Sequence, residues 1–250
     1  MSGHSHWARI KRAKGVTDAR RGKAWSRLSR GIIIAARSGG GDPDMNLSLR
    51  YAIDAARDAN MPKDTIERAI KKGTGELGGQ TFEELLFEGY GPGGAAVMCS
   101  LLTDNRNRTA PEIKKIFEGH GGRIGAPNSV ARLFKKYGVF VIAADKADED
   151  TLTNIALETG ADDVRSLGDA YELTCDPASF SSVRKALETA NIKPESAELT
   201  MVATTLVTLT GHDAEKMMKL IDALEDHDDT QAVHYNFELS DEDAARLSGG

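Results

Sequence analysis

The sequence predicts an α+β protein with a small helical head followed by two α/β units. Three observations carry that expectation. Apolar residues recur at helical spacing up to about residue 73 and at strand spacing from about residue 80. The charge changes sign near the same point: residues 1–75 hold 16 lysines and arginines against 7 acids, and residues 76–250 hold 16 against 31. Beyond residue 80 the strands and helices spell β-α-β-β-α-β twice, one copy inside the other.

The head begins with a basic leader, "GHSHWARIKRAKG", and continues into a helix from Thr17, a plausible N-cap, to about Ser38. Gly39 offers a left-handed cap and Pro43 stops the turn. Along this helix Trp25, Leu28, Ile32 and Ala35 form an apolar stripe, and Arg20, Lys23, Arg27, Arg30 and Arg37 fall on the opposite face. Ten basic residues and the single acid Asp18 lie between positions 9 and 37. A second helix is expected over 44–59, with Leu47, Tyr51, Ile53 and Ala55 among its apolar positions. A third has Pro62 in its first turn, Ile66, Ala69 and Ile70 inside, and Gly73 as its stop.

In the acidic body, strands are expected near 82–89, 96–103, 130–136, 138–143, 163–167, 171–175, 196–202, 204–210 and 231–238, with helices over 110–119, 148–159, 178–190 and 213–226. Residues 138–202 then make one ferredoxin-like βαββαβ unit, inserted into a second one built from its flanks. The expected domains are a basic arm (1–16), a helical basic domain (17–78), a discontinuous α/β domain (79–137 with 203–240), the inserted domain (138–202) and a tail (241–250). Simple tandem packing of the strands is the alternative.

Two loops have the composition of phosphate-binding segments. "EGYGPGG" (88–94) lacks a Gly-Lys-Ser/Thr ending and precedes a strand, so it reads as a turn. In "TDNRNRTAPE" (103–112), Thr109 and Glu112 have capping-box spacing. Arg106 and Arg108 then lie beside helix N-terminal amides, where phosphate binds well, unless local acids such as Asp104 hold them.

Composition excludes several classes. No apolar run approaches the ~20 residues of a membrane span, and the leader does not read as a signal peptide. Cys99 and Cys175, far apart in strand-like segments, read as buried thiols of a reducing cytosol. The six histidines fit no metalloprotease pattern, and "EDHDD" (225–229) reads as a solvated turn, with a Mg²⁺ site for a nuclease or phosphotransferase as the alternative. His4 would bind Cu(II) or Ni(II) at a terminus processed to Ser2. No cofactor is expected.

The segments "GHSHWARIKRAKGVTDARRGK", "GGGDPDMN", "ANMPKDTIERAIKKGTGE", "EGYGPGG", "LTDNRNRT" and "LIDALEDHDDTQAVHYNFEL" resemble the YebC/PmpR family over nearly the whole chain. The resemblance implies a helical first domain, two α/β domains, and a role as a DNA-binding transcriptional regulator or a translational activator at the ribosome. His6 stands where family members commonly carry lysine, and Ala203 where proline is usual.

The residues favour a non-enzymatic nucleic-acid-binding regulator, cytoplasmic and monomeric, with DNA or ribosomal RNA as partner and RNA mildly preferred. His6, Trp7, Arg9, Lys11, Arg12, Lys14, Arg20, Arg21, Lys23, Arg27 and Arg30, with Arg106 and Arg108, are the expected contacts. The cations release counterions on binding phosphate, and Trp7 stacks on an exposed base. A protein-binding adaptor built on the acidic body is a further alternative.

Overall fold

The computed structural model describes residues 18–77, 82–240, 242, 243 and 246, with side chains from residue 24 onward. Helix α1 (Asp18–Gly39) packs against α2 (Leu47–Asp58) and α3 (Lys63–Gly73). Ile32, Ala36, Leu49, Ile53, Ala56, Ile66 and Ala69 form the buried core, with Trp25 and Leu28 packed against its edge. In α2 the buried positions are Leu49, Ile53 and Ala56, while Leu47, among the expected apolar positions, is exposed in the first turn. Asn46 caps the helix, accepting from Leu49 N at 3.1 Å, so the helix starts at Leu47.

Asn46 also closes α1. Its Nδ2 donates to the carbonyls of Ala35 (2.7 Å) and Gly40 (2.8 Å). The left-handed residue is therefore Gly40 (φ 87°), not Gly39. Gly39 is needed for space, since a Cβ there would lie 2.7 Å from the Asn46 amide. Gly73 likewise serves close approach: a Cβ would meet the Ile33 carbonyl at 2.5 Å.

The first sheet has strand order β3-β1-β2-β9, where β1 is Glu83–Tyr90, β2 Ala96–Thr103, β3 Arg123–Ile124 and β9 Thr230–Tyr235. "EGYGPGG" turns the β1–β2 antiparallel hairpin. Helix α4 (Arg106–Gly119) follows β2. It starts four residues before the expected point, because Asn105 is the cap and accepts from Arg108 N at 3.2 Å. Thr109 sits inside the helix, buried. Glu88, also buried, accepts N–H bonds from Asn128, Val130 and Ala131 at 2.7–2.8 Å and so pins the segment leaving the sheet. Helix α7 (Gly211–Asp226) buries Met217, Leu220, Ile221 and Leu224.

The second sheet has order β5-β6-β4-β7: β4 is Phe134–Ala143, β5 Ala161–Ser166, β6 Ala170–Cys175 and β7 Ser196–Ala203. Helix α5 (Glu149–Thr159) joins β4 to β5, and α6 (Phe180–Thr189) joins β6 to β7. This is the ferredoxin-like arrangement, antiparallel throughout. The expected strands 130–136 and 138–143 are one strand. Gly138 lies within it, and glycine is needed there because a Cβ would strike Phe180 and Cys175. The first sheet has four strands by another route: β1, ahead of the β-α-β run, lies between β3 and β2. The expected strand 204–210 is only β8 (Val207–Leu209), which pairs with β10 (Phe237–Leu239) outside both four-stranded sheets.

The chain is α+β, with N-terminal helices and two antiparallel sheets. It divides into two compact units. One holds the described residues up to Ala131 with Leu209–Val233, so the helical head and the first sheet belong together; the other holds Arg132–Thr208 with the described residues from His234 on.

Candidate nucleic-acid interface

Within the first unit, α1 and α3 face α4 and the turn after α7 across an open cleft of about 1260 Å³. The helical lip carries Arg30, Arg68 and Lys72 beside Trp25 and Phe82. The facing lip carries Arg108 and Lys115 with Asp104, Glu112, Asp226, Asp228 and Asp229. The cleft is therefore split in charge, cationic on the helices and acidic opposite.

Asp229 is the centre of the facing lip. Its side chain is 6 % exposed. It accepts from Arg108 Nη2 at 2.7 Å, from Thr109 Oγ1 at 2.6 Å and from Arg30 Nη1 at 3.3 Å. Arg30 Nη1 also donates to the Asp228 carbonyl. Burial pushes the Asp229 carboxyl up; hydrogen bonds from Thr109 and Arg108 outweigh burial and hold it below the usual carboxylate range. The backbone places it there: its carbonyl accepts from Leu102 N at 2.8 Å, at the edge of β2. One carboxylate thus ties α1 to α4 through two arginines.

A second link lies beside it. His227 Nδ1 accepts from Asp229 N at 3.2 Å, so the ring proton sits on Nε2, which donates to Glu112 Oε2 at 3.0 Å. Trp25 Nε1 donates to the Ala59 carbonyl at 3.0 Å, anchoring the indole between α1 and α2. The Lys72 ammonium lies 5.6 Å from the Phe82 ring centroid.

The expected contact residues distribute unevenly. His6, Trp7, Arg9, Lys11, Arg12 and Lys14, and the metal candidate His4, lie outside the described residues, as do the side chains of Arg20, Arg21 and Lys23 on α1. Arg27 is half-buried and Arg106 exposed. Arg108 is held by Asp104 (3.2 Å) and Asp229, the local-acid alternative, and the cap amide it was expected to flank is satisfied by Asn105. Arg30 and Arg108 meet on Asp229, a pairing 121 residues apart for Arg108 that no local spacing shows. Asp229 itself is not part of a solvated turn. The one sequence signal is its place directly before β9, where a chain enters a sheet. Arg68, Lys72, Lys115 and Phe82 were also missed, because the cleft is built from segments distant in sequence.

Elsewhere, both cysteines are free and buried. Burial pushes the Cys99 thiol up to about 12 and the Cys175 thiol up to about 11. Among the described residues, no helix is long and apolar enough to cross a membrane.

Residues 5–76 match the TACO1/YebC protein N-terminal domain, and residues 82–237 match the TACO1/YebC second and third domain. A "Probable transcriptional regulatory protein" of Pelotomaculum thermopropionicum is 53% identical over 243 residues, 96% of this chain and 100% of the relative. One from Acidithiobacillus ferrooxidans is 51% identical, covering 99% and 98%. The crystal structure of a conserved hypothetical protein, Aq1575 of Aquifex aeolicus, superposes with a TM-score of 0.82 at 44% identity, covering 90% of this chain and 93% of that one. With both matches together spanning most of its length, the chain belongs to the TACO1/YebC family.

Proposed function

We propose that this protein is a non-enzymatic regulator of gene expression that binds nucleic acid through its basic arm and α1. The observation that carries the reading is the run of ten basic residues and one acid across positions 9–37, leading into a helix whose opposite face is packed. Such a run binds phosphate chains by releasing counterions. The name "Probable transcriptional regulatory protein" of relatives at about half identity supports the regulatory role. A tryptophan in a basic arm stacks on unpaired bases, so folded or single-stranded RNA, including ribosomal RNA, is favoured over duplex DNA. The protein acts in the cytoplasm as a monomer without a cofactor. Crosslinking in cells followed by sequencing of bound nucleic acid tests this directly. Reads concentrated on ribosomal RNA are the expected result; reads on promoters transfer the activity to DNA, and no enrichment over a mock sample overturns the reading. Trp7→Ala is expected to weaken RNA binding more than duplex binding, and equal losses would remove the preference for RNA.

A further inference from the structure

Five cations line the cleft. Arg30 and Arg108 are engaged by Asp229, and Lys115 lies on the facing lip. Arg68 and Lys72 stand one turn apart on α3, on the same face, beside Trp25 and Phe82, with the Lys72 ammonium 5.6 Å from the Phe82 ring centroid. Arg68 is exposed and Lys72 half-buried. An aromatic shelf with two cations at its edge matches a nucleotide unit, a flat base joined to a phosphate. The facing lip discriminates further. Asp228, exposed, and Glu112 present carboxylates across the opening. A second phosphate chain there meets like charge, so a duplex is disfavoured where one strand is accepted. Carboxylates do accept hydrogen bonds from the exocyclic amines of bases, so a base edge is tolerated on that side. The volume, larger than the roughly 300–1,000 Å³ of small-molecule sites, suits a short stretch of chain better than one small ligand.

We infer that this cleft is a binding site for single-stranded nucleic acid, with phosphates on Arg68 and Lys72 and bases against Trp25 and Phe82. The inference rests on the proposed nucleic-acid-binding function and adds a second, shape-selective site to the basic arm. It makes the two lips of the cleft unequal: the helical lip holds the strand, and the acidic lip keeps out its complement.

The test uses the full chain and a fluorescently labelled oligonucleotide, as single-stranded RNA, single-stranded DNA and the matching duplex. The double variant R68Q/K72Q is compared with K63Q/K71Q, which removes the same charge from the same helix away from the cleft lining. Thermal melting establishes that each variant is folded; if the double variant is not, R68Q alone is compared with K63Q. The site predicts that R68Q/K72Q lowers single-strand affinity about tenfold, with the salt slope falling by roughly one to two, while K63Q/K71Q changes it less than about twofold. In a Trp7→Phe background, Trp25 emission shifts as the single strand saturates. Equal losses in the two double variants, an unmoved Trp25 signal at saturation, or duplex affinity equal to single-strand affinity overturns the site while leaving binding by the arm standing. Absence of binding by any of the three oligonucleotides overturns both. A response to RNA and to DNA single strands alike assigns the site to the backbone and base faces; a response to RNA alone assigns it to RNA.

Discussion

Asp229 shows how one buried carboxylate organises an interface that looks, in the chain, like part of a soluble acidic run. Two guanidiniums and a hydroxyl converge on it from α1 and α4. Asp229→Ala leaves Thr109 buried without that acceptor and removes the carboxylate shared by Arg30 and Arg108; hydrogen bonds to a charged group set the loss at about 1.5–3 kcal/mol, read by urea unfolding at neutral pH. The pH dependence has a definite sign. The folded carboxyl lies below its unfolded value, so its contribution is complete above the unfolded pKa near ~3.9 and is lost as pH falls through the folded value. Glu88 acts in the same direction, its burial outweighed by the N–H bonds from Val130, Asn128 and Ala131. The stability gap between the native sequence and D229A is therefore expected to narrow on acidification; a gap independent of pH would contradict the assignment. For the cysteines, the raised thiols predict slow alkylation of both in the folded protein near pH ~8 and rapid alkylation in denaturant. Fast native labelling of Cys99 would show that its strand opens readily.

At the scale of elements, two glycines of the helical head should respond oppositely to the same change. Gly31 lies in α1 with nothing within 4 Å of a built Cβ, so Gly31→Ala gains helix propensity of about 0.5–1 kcal/mol. A Cβ at Gly73 would lie 2.5 Å from the Ile33 carbonyl of α1, so Gly73→Ala forces α1 and α3 apart. Overpacking of this kind costs about 1–3 kcal/mol, which exceeds the propensity gain. Thermal melts of the two variants should move in opposite directions. The contrast also marks what the chain reveals about itself. The helices and most strands are legible, because apolar spacing reports which face packs: Ile32, Ala35, Ile66 and Ala69 are inside as expected. Cap positions are less legible. Asn46 and Asn105 displace the expected helix starts because a side chain that bonds the first-turn amides outcompetes a residue that merely fits the pattern. The expected pair of strands is the single strand β4, and Gly138 within it marks a close neighbour, Phe180.

For the whole molecule, the division of charge is the property most visible from residues alone, and the cleft the least. The basic head and the acidic body follow from counting. That Arg30 is drawn to Asp229, that Arg68 and Lys72 border Trp25, and that acids line the opposite lip follow only from the fold that sets α1 and α3 across a cleft from α4. In the proposed function the acidic lip would orient binding, with a polyanion approaching the head and held away from the facing acids. Charge reversal at exposed Asp228 is therefore expected to raise nucleic-acid affinity modestly. The same change at Asp229 is a different experiment, because it breaks the link between α1 and α4 and reads out as lost stability. The central claim is that the basic head binds a phosphate chain by counterion release. Its most direct measurement is the affinity of the full chain for a single-stranded RNA across a tenfold range of salt. The account predicts a straight, steep fall of log affinity against log salt concentration. An affinity unchanged across that range would contradict it.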